Sequence, residues 1–262
     1  MPIPNNIYQC HRSFLFIQSQ YKLKQAVTTW LRHTHNFNYY FYSDSMCDNF
    51  MKTMPERFYQ AYLKCPLPVM KADLWRYCVI YENGGIYADA DTLCLIDPRI
   101  LITFLNNYEL VFALEGNFGL PHLFCQWWFA APKKSPLLLT LINNVVDKIL
   151  STDFYSITDE DFIHKITGPT IFTESIERYL YLNKIPIYKN KYHYLTKPNS
   201  VVKIFEPKIF HTKFIKHLGT GAGKNGWKNQ KSLFLKINRD NKQKRKNSLP
   251  SSRQLLLTNG KI

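Results

Sequence analysis

The sequence has no stretch of about 18 uninterrupted apolar residues, the minimum for a membrane-crossing helix. Even residues 136–150 are broken by Asn143, Asn144, Asp147 and Lys148. The opening Met1-Pro2-Ile3-Pro4-Asn5 lacks the basic patch and apolar stretch of a secretion signal. A soluble, cytoplasmic chain without an anchor is therefore expected. Six cysteines form no CxxC pair and no zinc-type spacing, which argues against a structural zinc site. Several lie in apolar runs, such as Tyr77-Cys78-Val79-Ile80 and Leu93-Cys94-Leu95, so buried free thiols in a reducing compartment are expected. No internal repeat is found, and with it goes a solenoid architecture.

Acidic residues are also scarce: 19 against 34 Lys and Arg, a formal charge of +15. The excess is uneven. Residues 231–262 hold nine Lys or Arg and only Asp240, hence +8, which leaves +7 for the rest. The run Lys242, Lys244, Arg245, Lys246 has few apolar residues to pack on and is expected to be a flexible tail. It could make weak contact with an anionic surface. The expected organisation is one catalytic domain over residues 1–235 and a basic tail over 236–262.

What the chain does have is an α/β pattern of a single domain's length, 262 residues. Apolar positions Leu23, Ala26, Val27, Trp30 and Leu31 repeat at helical spacing, between extended segments at 6–10 and 38–42. Helices are also expected at 46–51, 55–64, 69–82, 136–150 and 170–181. Strands are expected at 86–88, 92–96, 109–114, 127–131, 185–188, 201–205 and 209–211. Such alternation predicts a largely parallel sheet flanked by helices.

The chemistry concentrates between Lys71 and Asp91. Asn83-Gly84-Gly85 ends a helix, Ile86-Tyr87-Ala88 reads as a strand, and Asp89 and Asp91 stand at its exit. Alternation would turn residues i and i+2 of a strand the same way. Two convergent carboxylates suit a hard divalent cation, which could bridge a diphosphate and offset charge on a departing phosphate. The double glycine would let backbone approach a ligand closely. Asp73 and Arg76, three apart on the preceding helix, share a face. The guanidinium suits phosphate and the carboxylate suits sugar hydroxyls. A D-x-D pair alone is a weak signal; its setting strengthens it.

Lys71, Asp73, Arg76, Tyr77, Tyr81, Gly84, Gly85, Tyr87, Asp89 and Asp91 together resemble the signature of glycosyltransferase family 32. That family is the DXD sugar-binding group that includes the initiating α-1,6-mannosyltransferases. Residues 3–9, the Thr167-Gly168-Pro169 turn and a late His followed by Trp227 fit it more loosely. The large clostridial glucosylating toxins are similar over the same helix–glycine–strand segment. The resemblance implies a GT-A-like fold and a retaining transfer from a nucleotide-sugar donor, UDP-linked before GDP-linked. The acceptor would be a glycan, glycolipid or glycoprotein. It implies that Asp89 and Asp91 serve Mn2+ or Mg2+ and the diphosphate, and that Asp73 and Arg76 meet the donor sugar. Gly84, Gly85 and Tyr87 fall within the donor-binding run, and Tyr8 and Gln9 are candidates for the base pocket. His217 is the candidate third metal ligand, with His211 competing for that role, and the indole N–H of Trp227 could donate to phosphate. Two rivals stay open: a non-catalytic nucleotide-sugar or glycan binder on this fold, and a metal-dependent nuclease or phosphatase. The nuclease would need further carboxylates near the pair, and Glu82, Asp97 and Glu115 show no such spacing.

Overall fold

The computed structural model describes residues 2–33, 37–98, 100, 108–115, 123–189, 194–196, 201–220 and 226–248. Its centre is a six-stranded sheet in the order β2-β1-β3-β6-β5-β9. The strands are β1 (Asn6–Cys10), β2 (Asn38–Tyr42), β3 (Gly85–Ala88), β5 (Leu110–Leu114), β6 (Phe124–Ala131) and β9 (Val202–Phe205). All run parallel except β6, which is antiparallel to both its neighbours. The α/β class expected from the alternation is the one found, and it agrees with the GT-A-like fold that the resemblance implies. Outside this sheet, β4 (Thr92–Cys94) pairs with β10 (Ile215–His217), and β7 (Ile187–Lys189) with β8 (Tyr194–Thr196).

Strand alternation divides the core into two chemically different faces. Ile7, Ile86, Val111 and Ala130 lie on one face with Trp30 and Trp128. Their neighbours Tyr8, Tyr87, Phe112 and Phe129 turn to the other and meet the main helical layer. That layer includes α5 (Pro68–Asn83) and the helices Pro136–Ser151 and Pro169–Leu182. Before α5 run α1 (Phe14–Ser19), α2 (Tyr21–Leu31), α3 (Asp44–Met51) and α4 (Glu56–Lys64).

α5 matters most for the site. Pro68 occupies its first turn, where a missing N–H costs nothing, and from Met70 to Ile80 nearly every side chain is buried. A helix buried all round carries whatever polar groups it holds into the interior, here Asp73 and Arg76. It stops at Gly84, whose N–H donates to Ile80 O at 2.8 Å. Gly84 and Gly85 have φ of 68° and 120°. A Cβ at Gly84 would stand 2.6 Å from Lys133 N, and one at Gly85 2.5 Å from Asn6 O.

Three expectations are corrected. The close approach made possible by Gly84 and Gly85 is to the chain's own backbone. They stand at the entry of β3, roughly 13 Å from its acidic exit at a strand rise of about 3.3 Å per residue, which removes them from the donor-binding set. Residues 209–211 are helical turns, not a strand: Pro207 starts a helical segment that continues through Phe210–Phe214. The expected boundary at 235/236 falls inside the helix Trp227–Ser248, where Leu235 and Asn238 are buried. Asn238 donates to the carbonyls of Phe154 at 2.8 Å and Ile157 at 3.0 Å. Residues 249–262 lie outside the described residues.

Backbone contact and positive φ together make Gly85 irreplaceable. Gly85→Ala is expected to lower stability by about 3 kcal/mol or more, if the chain folds at all. Gly219→Ala, where φ is 64° but nothing lies within 4 Å, should cost only about 1 kcal/mol. Denaturant unfolding of the two variants checks the contrast.

Candidate active site

Asp89 leaves β3 with its backbone fully engaged. Its N–H donates to Trp127 O at 2.8 Å, and its carbonyl accepts from Thr92 N at 3.1 Å, Thr92 Oγ1 at 2.6 Å and Gln9 Nε2 at 3.0 Å. The Asp89-to-Thr92 bond closes a tight turn. Asp89 and Asp91 therefore share a side through a turn rather than through strand alternation, with Ala90 buried beneath them against Ile17, Leu23 and Val27. Thr92 is fixed in turn by the indole of Trp30, which donates to its carbonyl at 2.9 Å.

The third member arrives from far along the chain. β10 pairs with β4 so that His217 lies opposite Thr92. Its Nε2 stands 3.1 Å from Asp91 Oδ1 and 4.0 Å from Asp89 Oδ2. The second Asp91 oxygen accepts from Thr220 N at 2.8 Å and Thr220 Oγ1 at 3.0 Å. Burial pushes the Asp91 carboxyl up, but the hydrogen bonds and charge of His217 and the Thr220 donors hold it below the usual range. Burial pulls His217 down, and Asp91, Asp89 and Glu115 outweigh it, so its pKa is raised.

Asp89, Asp91 and His217 each offer one ligand atom, all within 4.8 Å of one another. With bonds of about 2.1 Å, adjacent ligands of a six-coordinate cation stand about 3 Å apart and opposite ones about 4.2 Å. The separations of His217 from the two acids, 3.1 and 4.0 Å, fall within that range, so the three residues could hold a divalent cation. Of the two candidate histidines the structure brings His217 to the acids. His211 Nε2 lies 3.0 Å from Leu114 O, and its ring tilts against Trp127.

Behind the acids sits a buried polar cluster centred on Arg76. Its guanidinium reaches Asp73 Oδ1 at 3.1 Å, Asp89 Oδ1 at 3.3 Å and Gln126 Oε1 at 2.8 Å, and lies over the Tyr87 ring at 4.7 Å. Tyr87 Oη donates to Asp89 Oδ1 as well. Asp73 is 1% exposed and also accepts from Thr167 Oγ1 at 2.8 Å and Gln126 Nε2 at 3.2 Å. Burial raises its carboxyl to about 6 against the Arg76 charge and those two bonds. The structure thus sets Asp73 behind Arg76, as its orienting partner, rather than at an open surface facing a sugar.

Other expected residues fall elsewhere. Gln9 is fully buried between Tyr39, whose hydroxyl it accepts at 2.7 Å, and Asp89 O. It is a brace for the acidic turn and not a pocket wall. Tyr8 is 3% exposed and stacks on Tyr40, which is the more exposed ring of the pair. Trp227 opens the last helix against His164, with ring centroids 6.3 Å apart, and the structure does not bring it to the acids.

Residues with no expected role do join the site. Gln126 ties Arg76, Asp73 and Tyr77 together. Trp127 stacks on His217 at 4.8 Å and 19°, and burial raises the Glu115 carboxyl to about 7. A glutamine inside the otherwise apolar run Phe124–Ala131 was the available signal for the first.

Residues 20–107 match the glycosyltransferase sugar-binding region containing DXD motif. The chain is 25% identical to the initiation-specific alpha-1,6-mannosyltransferase of Candida albicans over 227 residues, covering 74% of this chain and 58% of that protein. It is 35% identical over 136 residues to the protein of the same name from Schizosaccharomyces pombe, covering 46% and 34% respectively. The chain therefore spans little more than half of the first relative and a third of the second. Among solved structures, the PaToxG glycosyltransferase shares the fold with a TM-score of 0.50 at 14% identity, over 68% of this chain and 70% of that one. Matched motif, relatives and fold agree: this chain carries the DXD-containing glycosyltransferase sugar-binding region and is a distant homologue of the initiation-specific α-1,6-mannosyltransferases.

Proposed function

We propose that the chain is a metal-dependent, retaining hexosyltransferase that moves a sugar from a nucleoside-diphosphate donor to an acceptor hydroxyl. The observation that carries this reading is the convergence of Asp89, Asp91 and His217 at ligand distance in a DXD region. Asp73, Asp89 and Asp91 outnumber Arg76 as fixed charges there, so the site has an excess of negative charge that a divalent cation offsets. Bound there, the cation would supply Lewis-acid stabilisation of the diphosphate as it leaves.

The residues around it have separable tasks. Arg76 presents a guanidinium locked by Asp73, Gln126 and Tyr87, a preorganised positive charge for a phosphate or sugar oxygen. Its Nε is buried and has no hydrogen-bond partner among the described residues. Thr220 and Leu218 fix Asp91 from the loop that follows β10. Retention is supported by the α-1,6 linkage in the relatives' names, because the common hexose donors carry an α-linked diphosphate. Mannose is the first sugar to test on the same ground, with both GDP and UDP donors compared. Acceptor candidates are hydroxyls of a glycan, glycolipid or glycoprotein.

Thermal denaturation with UDP, GDP and their sugars, with and without Mn2+, tests the donor site. One nucleotide should stabilise the chain only when Mn2+ is present. Asp91→Asn should abolish that shift and lower sugar transfer by about a thousandfold, some 4 kcal/mol of transition-state stabilisation. A metal-dependent shift that persists in Asp91→Asn would overturn the assignment.

The raised pKa of His217 has its own consequence. A protonated imidazole cannot ligate, so Mn2+ affinity should climb as pH rises toward that pKa, by up to about tenfold per unit, and level above it. In His217→Gln that component of the slope should vanish. Calorimetric Mn2+ titration between pH 5.5 and 8 measures both profiles.

Arg76→Lys removes the fork but keeps the charge. Transfer should fall by about a hundredfold, because an ammonium cannot hold Asp73, Asp89 and Gln126 together. Steady-state rates against wild type check this.

A further inference from the structure

The helix Trp227–Ser248 carries eight Lys or Arg and one acid, Asp240, for a net +7. One side of it is committed to the fold. Leu235 and Asn238 are buried, Phe234 packs on Phe162 with centroids 5.6 Å apart, and Lys231 and Arg239 pair with Glu160. The opposite side presents Leu233 and Ile237, 60% and 50% exposed and one turn apart. Beside the helix, Leu63 and Tyr155 line the same cleft as Phe234, and they too are exposed, by 49% and 79%. Lys236 follows Leu233 by one turn of the helix, and Lys64 lines the cleft with Leu63 and Tyr155, against Asp153 and Asp240. Glu160 is already matched by two cations.

We infer that this face docks the protein on a bilayer containing anionic phospholipid. Charge complementarity draws the basic helix to the headgroups, and Leu233, Ile237, Tyr155 and Leu63 enter the boundary with the acyl chains. The two contributions have to act together, because a few aliphatic side chains or a few lysines alone give only marginal membrane binding. A polyanion such as RNA would also meet the lysines, but it would leave both exposed aliphatics without a partner. The inference does not rest on the proposed transfer reaction: a vesicle-binding chain without transferase activity would satisfy it.

The test is cosedimentation of the full chain with phosphatidylcholine vesicles, with and without about 30% phosphatidylserine. Binding is expected to the mixed vesicles, to be weak to the neutral ones, and to fall as salt rises. Leu233→Ser with Ile237→Ser, which keeps every charge, should lower partitioning by about tenfold or more, and Lys236→Gln with Lys64→Gln should do likewise. Leu233→Trp should increase it, which keeps the test decisive if the serine pair perturbs folding. No binding to the mixed vesicles, equal binding to both kinds, or serine and tryptophan variants that both bind like wild type would overturn the inference. So would binding to a homopolymer RNA that matches the mixed vesicles in strength and is unchanged in the serine pair.

Discussion

A single buried guanidinium holds the centre of this molecule together. Arg76 is 5% exposed and faces two carboxylates, on its own helix and at the exit of the adjoining strand. A charge at such depth is tolerable only when its partners are fixed, since removal of either would leave an uncompensated ion in the interior. Asp73 is fixed by Thr167 and Gln126, Asp89 by Tyr87, Gln9 and the turn to Thr92. The cluster thereby couples α5, β1, β3, β6 and the turn before Pro169 through hydrogen bonds that none of those elements makes alone.

The two faces of the sheet serve this cluster differently. Tyr8, Tyr87, Phe112 and Phe129 build a ring-rich interior that excludes water from one side of Arg76. On the other, small residues such as Ala88, Ala113 and Ala130 leave room for Trp30 and Trp128. Trp30 then anchors Thr92, and Thr92 anchors Asp89. Packing on one face therefore sets the position of a carboxylate at the sheet's edge.

Sequence and structure agree best where local pattern and function coincide. The block from Lys71 to Asp91 was legible because an all-round apolar helix, a double glycine and a short strand leave few options for where Asp89 and Asp91 can stand. His217 could be nominated but not separated from His211, since only the β4–β10 register decides which imidazole meets the acids. Gln9 and the glycines were misread for a shared reason. Both lie in a motif-rich stretch, yet their partners are backbone atoms, Asp89 O for one and Asn6 O and Lys133 N for the others, which composition does not reveal. Asp73 looked like a sugar contact because helical spacing shows which face it shares and not how deep that face lies. The C-terminal helix escaped notice because its charge outweighs its sparse apolar anchors. Phe234, Leu235 and Asn238 hold it through contacts with the segment around Phe154 and Phe162.

The loop after β10 reaches Asp91 across 129 residues of chain. The matched DXD region ends at residue 107, well before β10 begins. During synthesis, then, the acidic turn can form while its imidazole and threonine partners are still unmade. The nascent chain would hold an electronegative, half-built pocket until β10 is released from the ribosome. Assembly of the Asp89, Asp91 and His217 cluster thus waits until β10 has been translated and has found its register on β4.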